Sequence, residues 1–172
     1  MNAPQFDVRE QILDQVVDWI QAVFGWSDEE VGEKAIMDER GLLKGPRPDL
    51  PFLTYNLTLT DMPNGMEEKF QGGGGYKISA GRRAVLSMMG IGEGSEDMLV
   101  RLGLSADPDI VPGTISILNL SPVLDVSEFE ETVIEPRYAK DFTILYRITT
   151  TEAIIPIQGA TRVLYNGEEF TP

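Results

Sequence analysis

The stretch Phe142–Thr150, which reads FTILYRITT, alternates large apolar side chains with polar ones. Four apolar residues share one parity: Phe142, Ile144, Tyr146 and Ile148. A two-residue period is typical of a strand with one buried face. Pro136 cannot donate a ladder hydrogen bond and favours extended geometry at Glu135, so Glu135-Pro136-Arg137 predicts the start of this strand.

Two further segments alternate in the same way. Phe52–Thr60 places Leu and Tyr on one parity and Thr and Asn on the other, which predicts a strand with one wet face. Tyr76–Met89 predicts the longest strand, in which Gly81 permits a bulge or a bend. We expect these two strands to pair through the excursion 61–75.

Apolar residues at helical spacing predict two helices, Asp7–Phe24 and Ser95–Leu102. A Ser or Asp followed three residues later by Glu, the capping-box pattern, opens the first of them at Asp7 and a further segment at Ser27. That segment is predicted as a short helix or turn from Ser27 to about Met37, weakened by Gly32. Shorter strands are predicted over Thr114–Leu120 and near Ile155–Tyr165.

These elements predict an α+β fold, an antiparallel sheet of about five to six strands with two main helices packed on one face. The length of 172 residues suits a single domain, 1–172. Within it, the proline-punctuated span 38–51 predicts either an extended arm that reaches a neighbouring subunit or a plain surface loop. The span 61–75 predicts either a mobile loop that orders on assembly or an unconstrained loop tip, because it ends in four glycines: Gly72, Gly73, Gly74 and Gly75.

The chain is strongly acidic. Its 14 Lys and Arg stand against 28 Asp and Glu, for a net charge of −14. Such a charge repels nucleic acid and anionic membranes at long range. No apolar run approaches the roughly 18 residues of a membrane span, and the N-terminus lacks the pattern of a signal peptide. We therefore expect a soluble protein made in the cytoplasm.

The sequence contains no Cys and no His. A thiol nucleophile, a Cys/His zinc site and a His-based triad are therefore excluded within this chain. Asp107 and Asp109 could bind a divalent cation only with oxygen ligands that the sequence does not identify. We expect no enzyme, no cofactor and no metal site, and a carboxylate- or metal-dependent enzyme is the contrasting alternative.

A charged run opens the central strand: Glu135-Pro136-Arg137-Tyr138-Ala139-Lys140-Asp141. Upstream lie an N-terminal helix, a Pro-Arg-Pro linker, a strand with a Tyr and an Arg-rich strand: Asp7–Phe24, Pro46-Arg47-Pro48, Phe52–Tyr55 and Arg82–Ser87. This set of short motifs resembles the phage neck and tail terminator (tail completion) proteins. The resemblance spans most of the chain.

The resemblance implies a virion structural protein, synthesised in the host cytoplasm, that forms a homo-oligomeric ring of six subunits at the neck. Such a ring caps the tail tube and joins it to the head connector. The implied partners are other copies of the chain, the tail tube protein, and the head connector or a portal-side neck protein. DNA would be passing cargo, and no membrane is involved. A head-completion or connector protein of the same neck is the alternative.

Charged residues near these motifs are the candidates for the contacts between subunits or with the tail. They are Arg47, Arg82, Arg83, Glu135, Arg137, Lys140 and Asp141. Arg82 and Arg83 should point to opposite faces of their strand, so one of them at most can reach a given partner. Arg137 and Asp141 are the first choices for a ring contact, although an intrachain pair at the start of the strand fits them equally well.

Overall fold

The computed structural model describes residues 5–37, 48–63, 68–72, 75–106, 114–130, 133–153, 163–165 and 168–170, with side chains for 8–37, 48–60, 79–106, 114–127 and 135–148. The helices are α1 (Gln5–Phe24), α2 (Asp28–Lys34) and α3 (Ser95–Leu104). The longer strands are β2 (Phe52–Pro63), β3 (Glu68–Gly72), β4 (Gly75–Ile91) and β9 (Arg137–Ala153). The short strands are β1 (Ala35–Met37), β5 (Ser116–Leu118), β6 (Leu124–Asp125), β7 (Glu128–Glu130), β8 (Val133–Glu135), β10 (Val163–Tyr165) and β11 (Glu168–Phe170).

One main sheet is built on β4 and β9, which pair antiparallel along their whole length from Gly75↔Ala153 to Ile91↔Arg137. Its strand order is β1-β2-β4-β9-β5, while β3 also pairs with β4 and β6 with β9. Two small antiparallel hairpins, β7–β8 and β10–β11, stand outside it. The α+β fold with an antiparallel sheet is therefore confirmed. The parallel pairing of β1 with β2 is an addition that the sequence analysis missed.

The core lies between one face of this sheet and the helices. Leu57, Leu86 and Phe142 are neighbours across β2, β4 and β9, and all three are buried. Trp19 of α1 meets Phe142 edge to face, with ring centroids 5.3 Å apart and an interplanar angle of 81°. Such a pair adds about 0.5–1.5 kcal/mol to the burial of its area. The helices α1 and α3 thus cover one face of the sheet, as the amphipathic patterns predict.

The helix starts differ in how well the sequence predicts them. The capping box at α2 is confirmed: Ser27 N–H donates to Glu30 Oε2 (3.0 Å) and Glu30 N–H donates to Ser27 Oγ (3.3 Å). The predicted cap at Asp7 is wrong, because α1 already begins at Gln5. Likewise α2 ends at Lys34, and the residues as far as Met37 form β1 instead of a last helical turn.

The excursion between the first two predicted strands is more regular than expected. Residues 61–63 continue β2, and β3 pairs with β4 from Glu68↔Ser79 to Gly72↔Gly75. Only 64–67 and 73–74 of the predicted loop lie outside the described residues. The register shift falls in β2, between Thr60 and Pro63, because proline cannot donate to the ladder. Gly81, the predicted bulge, stays in register with Arg147.

Candidate interaction surfaces

The start of β9 is held by an ion pair within the chain. Arg137 donates to Glu135 Oε2 from Nε (3.0 Å) and from Nη2 (2.8 Å), and both side chains are largely shielded, at 26% and 20% exposure. Ser127 Oγ accepts from Arg137 N–H (3.1 Å), and Val126 N–H donates to the Arg137 carbonyl (2.8 Å). Arg137 therefore forms the intrachain pair at the start of the strand that the sequence analysis gives as the alternative to a ring contact. Its partner is Glu135 and not Asp141.

Lys140 lies inside the protein. It is 5% exposed, its ammonium donates to the Ser121 carbonyl, and its Nζ stands 5.3 Å from the centroid of the Phe142 ring. Burial lowers the pKa of this amine below its ordinary value of 10.5. This burial corrects the prediction that Lys140 contacts a neighbouring subunit. Lys140 has the same strand parity as Phe142, so its side chain points towards the helices and away from the surface.

The other face of the central strands carries no helix among the described residues, and we call it the open face. Its rows are in register across β2, β4 and β9: Asn56–Ser87–Asp141, Thr58–Val85–Thr143 and Thr60–Arg83–Leu145, followed by Arg147 opposite Gly81. Thr58, Arg83, Ser87, Asp141 and Arg147 are exposed, and the others are partly exposed. Of the predicted interface residues, Arg83 and Asp141 thus come to lie on one surface. Strand parity puts the Asp141 side chain on this face, and its backbone carbonyl accepts from Ser121 Oγ (3.0 Å).

Arg82 and Arg83 occupy opposite faces of β4, which confirms that part of the prediction. Arg82 stands opposite Tyr146, whose parity is that of the core, and its Nη1 donates to the Gly81 carbonyl at 3.5 Å. Arg83 stands opposite Leu145 on the open face. Its backbone carbonyl accepts from Thr60 Oγ1 at 2.7 Å, and its guanidinium is exposed. Arg83 is therefore the member of the pair that a partner on the open face would meet.

A shallow acidic groove of about 330 Å³ runs between α1 and α2. Asp14 and Asp18, one helical turn apart, line one wall, and Asp28 lines the other. Gln21 Nε2 donates to Asp28 Oδ1 at 2.6 Å and ties the two helices together. The sequence indicates that Asp14 and Asp18 point outward, but it does not reveal that Asp28 joins them, since that depends on how α2 packs against α1.

A wider cleft of about 650 Å³ lies beside α2, β1 and the segment Pro48–Pro51. Its charged residues are Glu33, Lys34 and Asp49. Lys34 Nζ is 3.6 Å from Glu30 Oε1 and 5.3 Å from the Trp26 ring centroid, so its charge is held by the helix that carries it. Among the residues that the structure describes, the lining of this cleft brings together no nucleophile with an activating base.

Over the described part of the chain, no three carboxylates converge into a group that could hold a metal ion. None of the helices formed by these residues is long and apolar enough to cross a membrane. Several residues that the sequence analysis singled out lie outside the described ranges: Arg47, Gly73, Gly74, Asp107 and Asp109. Gly72 and Gly75 are described, and they form the last pair of the β3–β4 ladder.

Comparison of the chain with protein-family models finds no match. Comparison with curated proteins also finds no match.

Proposed function

We propose that this protein is a virion structural protein of the phage neck, which forms a closed homo-oligomeric ring of six copies, caps the tail tube and joins it to the head connector. The proposal rests on the motif resemblance together with one structural observation. The strands β2, β4 and β9 are covered by helices on one face and expose polar and charged side chains on the other. A face of the sheet that none of the described helices covers is a surface that can bind another chain.

The charge of the chain fits a place around a DNA channel. At −14, an acidic ring does not retain the DNA that passes through it, because like charges repel at short range within a pore. The partners of this proposal are other copies of the chain, the tail tube protein, and the head connector or a portal-side neck protein. The protein is then a component of the virion, assembled in the host cytoplasm, and its work is structural.

Native mass spectrometry over a concentration series, followed by negative-stain imaging, tests the ring. The expected result is a closed six-copy species with a central hole that binds the end of purified tail tubes. A ring that binds only the portal side would assign the protein to head completion instead. A chain that stays monomeric at every concentration and leaves tail tubes uncapped would overturn the proposal.

A further inference from the structure

The two sides of the molecule differ in charge. The outer surface of α1 and α2 carries six exposed carboxylates: Glu10, Asp14, Asp18, Asp28, Glu29 and Glu33. Of the basic residues of these two helices, Lys34 is paired with Glu30 and Arg9 is only partly exposed. The helix layer therefore presents hydrogen-bond acceptors and negative charge to its surroundings.

The open face presents several groups that can donate hydrogen bonds to carboxylates. Arg83 is exposed there and has no carboxylate partner among the described residues. Arg147 is also exposed on this face, diagonally across the β4–β9 pair, but it already takes part in another interaction. The hydroxyls of Thr58 and Ser87 and the amide of Asn56 can each donate to a carboxylate. With Asp141 as its one described acid, this face is the less negative side of a chain whose net charge is −14.

From this segregation we infer that the open face binds the α1–α2 surface of a second copy of the same chain. Two helix layers would set carboxylates against carboxylates, and two open faces would leave the carboxylates of both helix layers without donors. Contact between unlike faces joins the side that can donate hydrogen bonds to the side that carries the acceptors and the negative charge. It also gives the sheet a helix layer on both sides, which is a common layer architecture.

Such a contact uses a different surface on each copy, so a pair of copies leaves one helix surface and one open face unfilled at its two ends. Repetition closes into a ring when the rotation between copies divides the circle, and otherwise yields a filament. The inference therefore rests on the proposed ring and assigns the two surfaces that build it.

Cross-linking gives the direct test, because the chain has no cysteine. Asp18→Cys marks the helix surface and Ser87→Cys marks the open face, and both positions are exposed. The two single variants are mixed and treated with a short bis-maleimide, and each is also treated alone as a control. We expect 18–87 cross-links in the mixture and none in either control.

The outcomes separate the contact from the ring. Closed rings that give no 18–87 cross-link would overturn the contact and leave the proposed function standing. Cross-links that appear in open filaments would support the contact and contradict the closed ring. Cross-links from Ser87→Cys alone would show two open faces together and overturn the contact. A chain that remains monomeric, with and without tail tubes, would overturn both.

Charge reversal provides a second, independent readout. Arg83→Glu and Asp18→Arg should each weaken self-association, on the order of threefold to tenfold, because each sets like charges across the contact. The two variants change the net charge in opposite directions, so a general charge effect would move their affinities in opposite directions. Opposite shifts would therefore contradict the contact. An equimolar mixture of the two should recover association, since every contact between the two variants again joins unlike charges.

Discussion

The covered face and the open face of the sheet belong to the same strands and differ in almost every other respect. On β9, Phe142 is fully buried against Trp19 of α1, whereas Asp141 and Thr143, its neighbours in sequence, point to the open face. The covered face contributes the apolar burial that stabilises the fold. The open face contributes little to that burial, and its side chains point away from the helices.

Lys140 shows that the covered face also accommodates a buried charged group. The amine reaches across the edge of the sheet to the Ser121 carbonyl, beside Gly103 of α3, whose own carbonyl accepts from Asn119 Nδ2 at 2.9 Å. The hydrogen bond and the Phe142 ring offset part of the cost of burying the ammonium. Lys140 thus belongs to the packing of the covered face, although its neighbour in sequence, Asp141, is exposed.

The sharpest contrast between the faces should appear at neighbouring positions of β9. Phe142→Ala should lower the free energy of unfolding by about 3–5 kcal/mol, because it opens a cavity against Trp19. Thr143→Ala, the matched control on the open face, should cost less than about 1 kcal/mol. Urea denaturation measures both values. Equal losses would contradict the division into a covered and an open face.

The next largest effect is expected where the covered face meets the start of α3. A Cβ atom at Gly90 would lie 2.7 Å from the Ser95 Cβ and 2.9 Å from the Ser95 carbonyl oxygen, so Gly90→Ala should cost about 1–3 kcal/mol. Gly32 in α2 has no atom within 4 Å of such a Cβ. Gly32→Ala should therefore stabilise the protein, by about 0.5–1 kcal/mol, through higher helix propensity. Thermal unfolding should shift in opposite directions for the two variants, and a shift in the same direction would contradict the packing.

A smaller effect is expected at the edge of the helix layer, where Ser27→Ala removes the cap of α2 at a cost of about 1 kcal/mol. The pKa of Glu30 is lowered below 4.5, chiefly because its carboxylate accepts a hydrogen bond from the backbone N–H of Ser27. The positive charge of Lys34 makes a smaller contribution in the same direction. A lowered acid pKa stabilises the folded state above the unfolded value, and this contribution is lost as the pH falls through the folded value. Denaturation at pH 7 measures the cost of Ser27→Ala. The difference in stability between the wild type and Glu30→Gln should shrink from pH 7 to pH 3, because only the wild type has a carboxylate that acid protonates. A difference that is the same at both pH values would contradict a contribution from the Glu30 carboxylate.

The smallest effect is the pH dependence at Lys140. Its lowered pKa means that the unfolded chain binds the proton more tightly, so this residue makes stability rise with pH between the folded pKa and 10.5. Lys140→Met should remain folded and should lack this rise when compared with the wild type by denaturation across that window. Burial raises the pKa of Tyr55, which has the opposite effect above pH 10.0, but Tyr55 is present in both proteins and cancels in the difference. Identical pH profiles would contradict a buried, charged amine.

The long elements were predictable because their signals are local and repeated. Observed β9, β4 and α1 contain the segments predicted from alternation and helical spacing, and extend beyond them by a few residues. The short strand β1 was missed, because three residues carry no periodic signal and their pairing with β2 depends on how α2 ends. The strand β3 within 61–75 was missed because the glycines and the proline of this span have low strand propensity. Only the pairing with β4 shows that β3 is a strand.

The candidate surfaces were predictable only in part. Strand parity placed Arg82 and Arg83 on opposite faces, since side chains alternate along any strand. The same rule separates Lys140 from Asp141, but the burial of Lys140 depends on α3 and the segment around Ser121, which lie far away in sequence. The groove formed by Asp18 with Asp28 likewise requires two helices to meet.

The sequence by itself determined which residues form the long strands and helices, which side of each is apolar, and the acidic charge of the whole chain. Periodicity and composition are properties of the sequence alone, and they do not depend on how the helices and strands pack. Only the tertiary structure decided that the helices cover one face of the sheet, that Lys140 is enclosed while Arg83 is exposed, and that acidic and donor-rich surfaces lie on different sides. Those features arise from contacts between segments distant in sequence, whose geometry is set by packing.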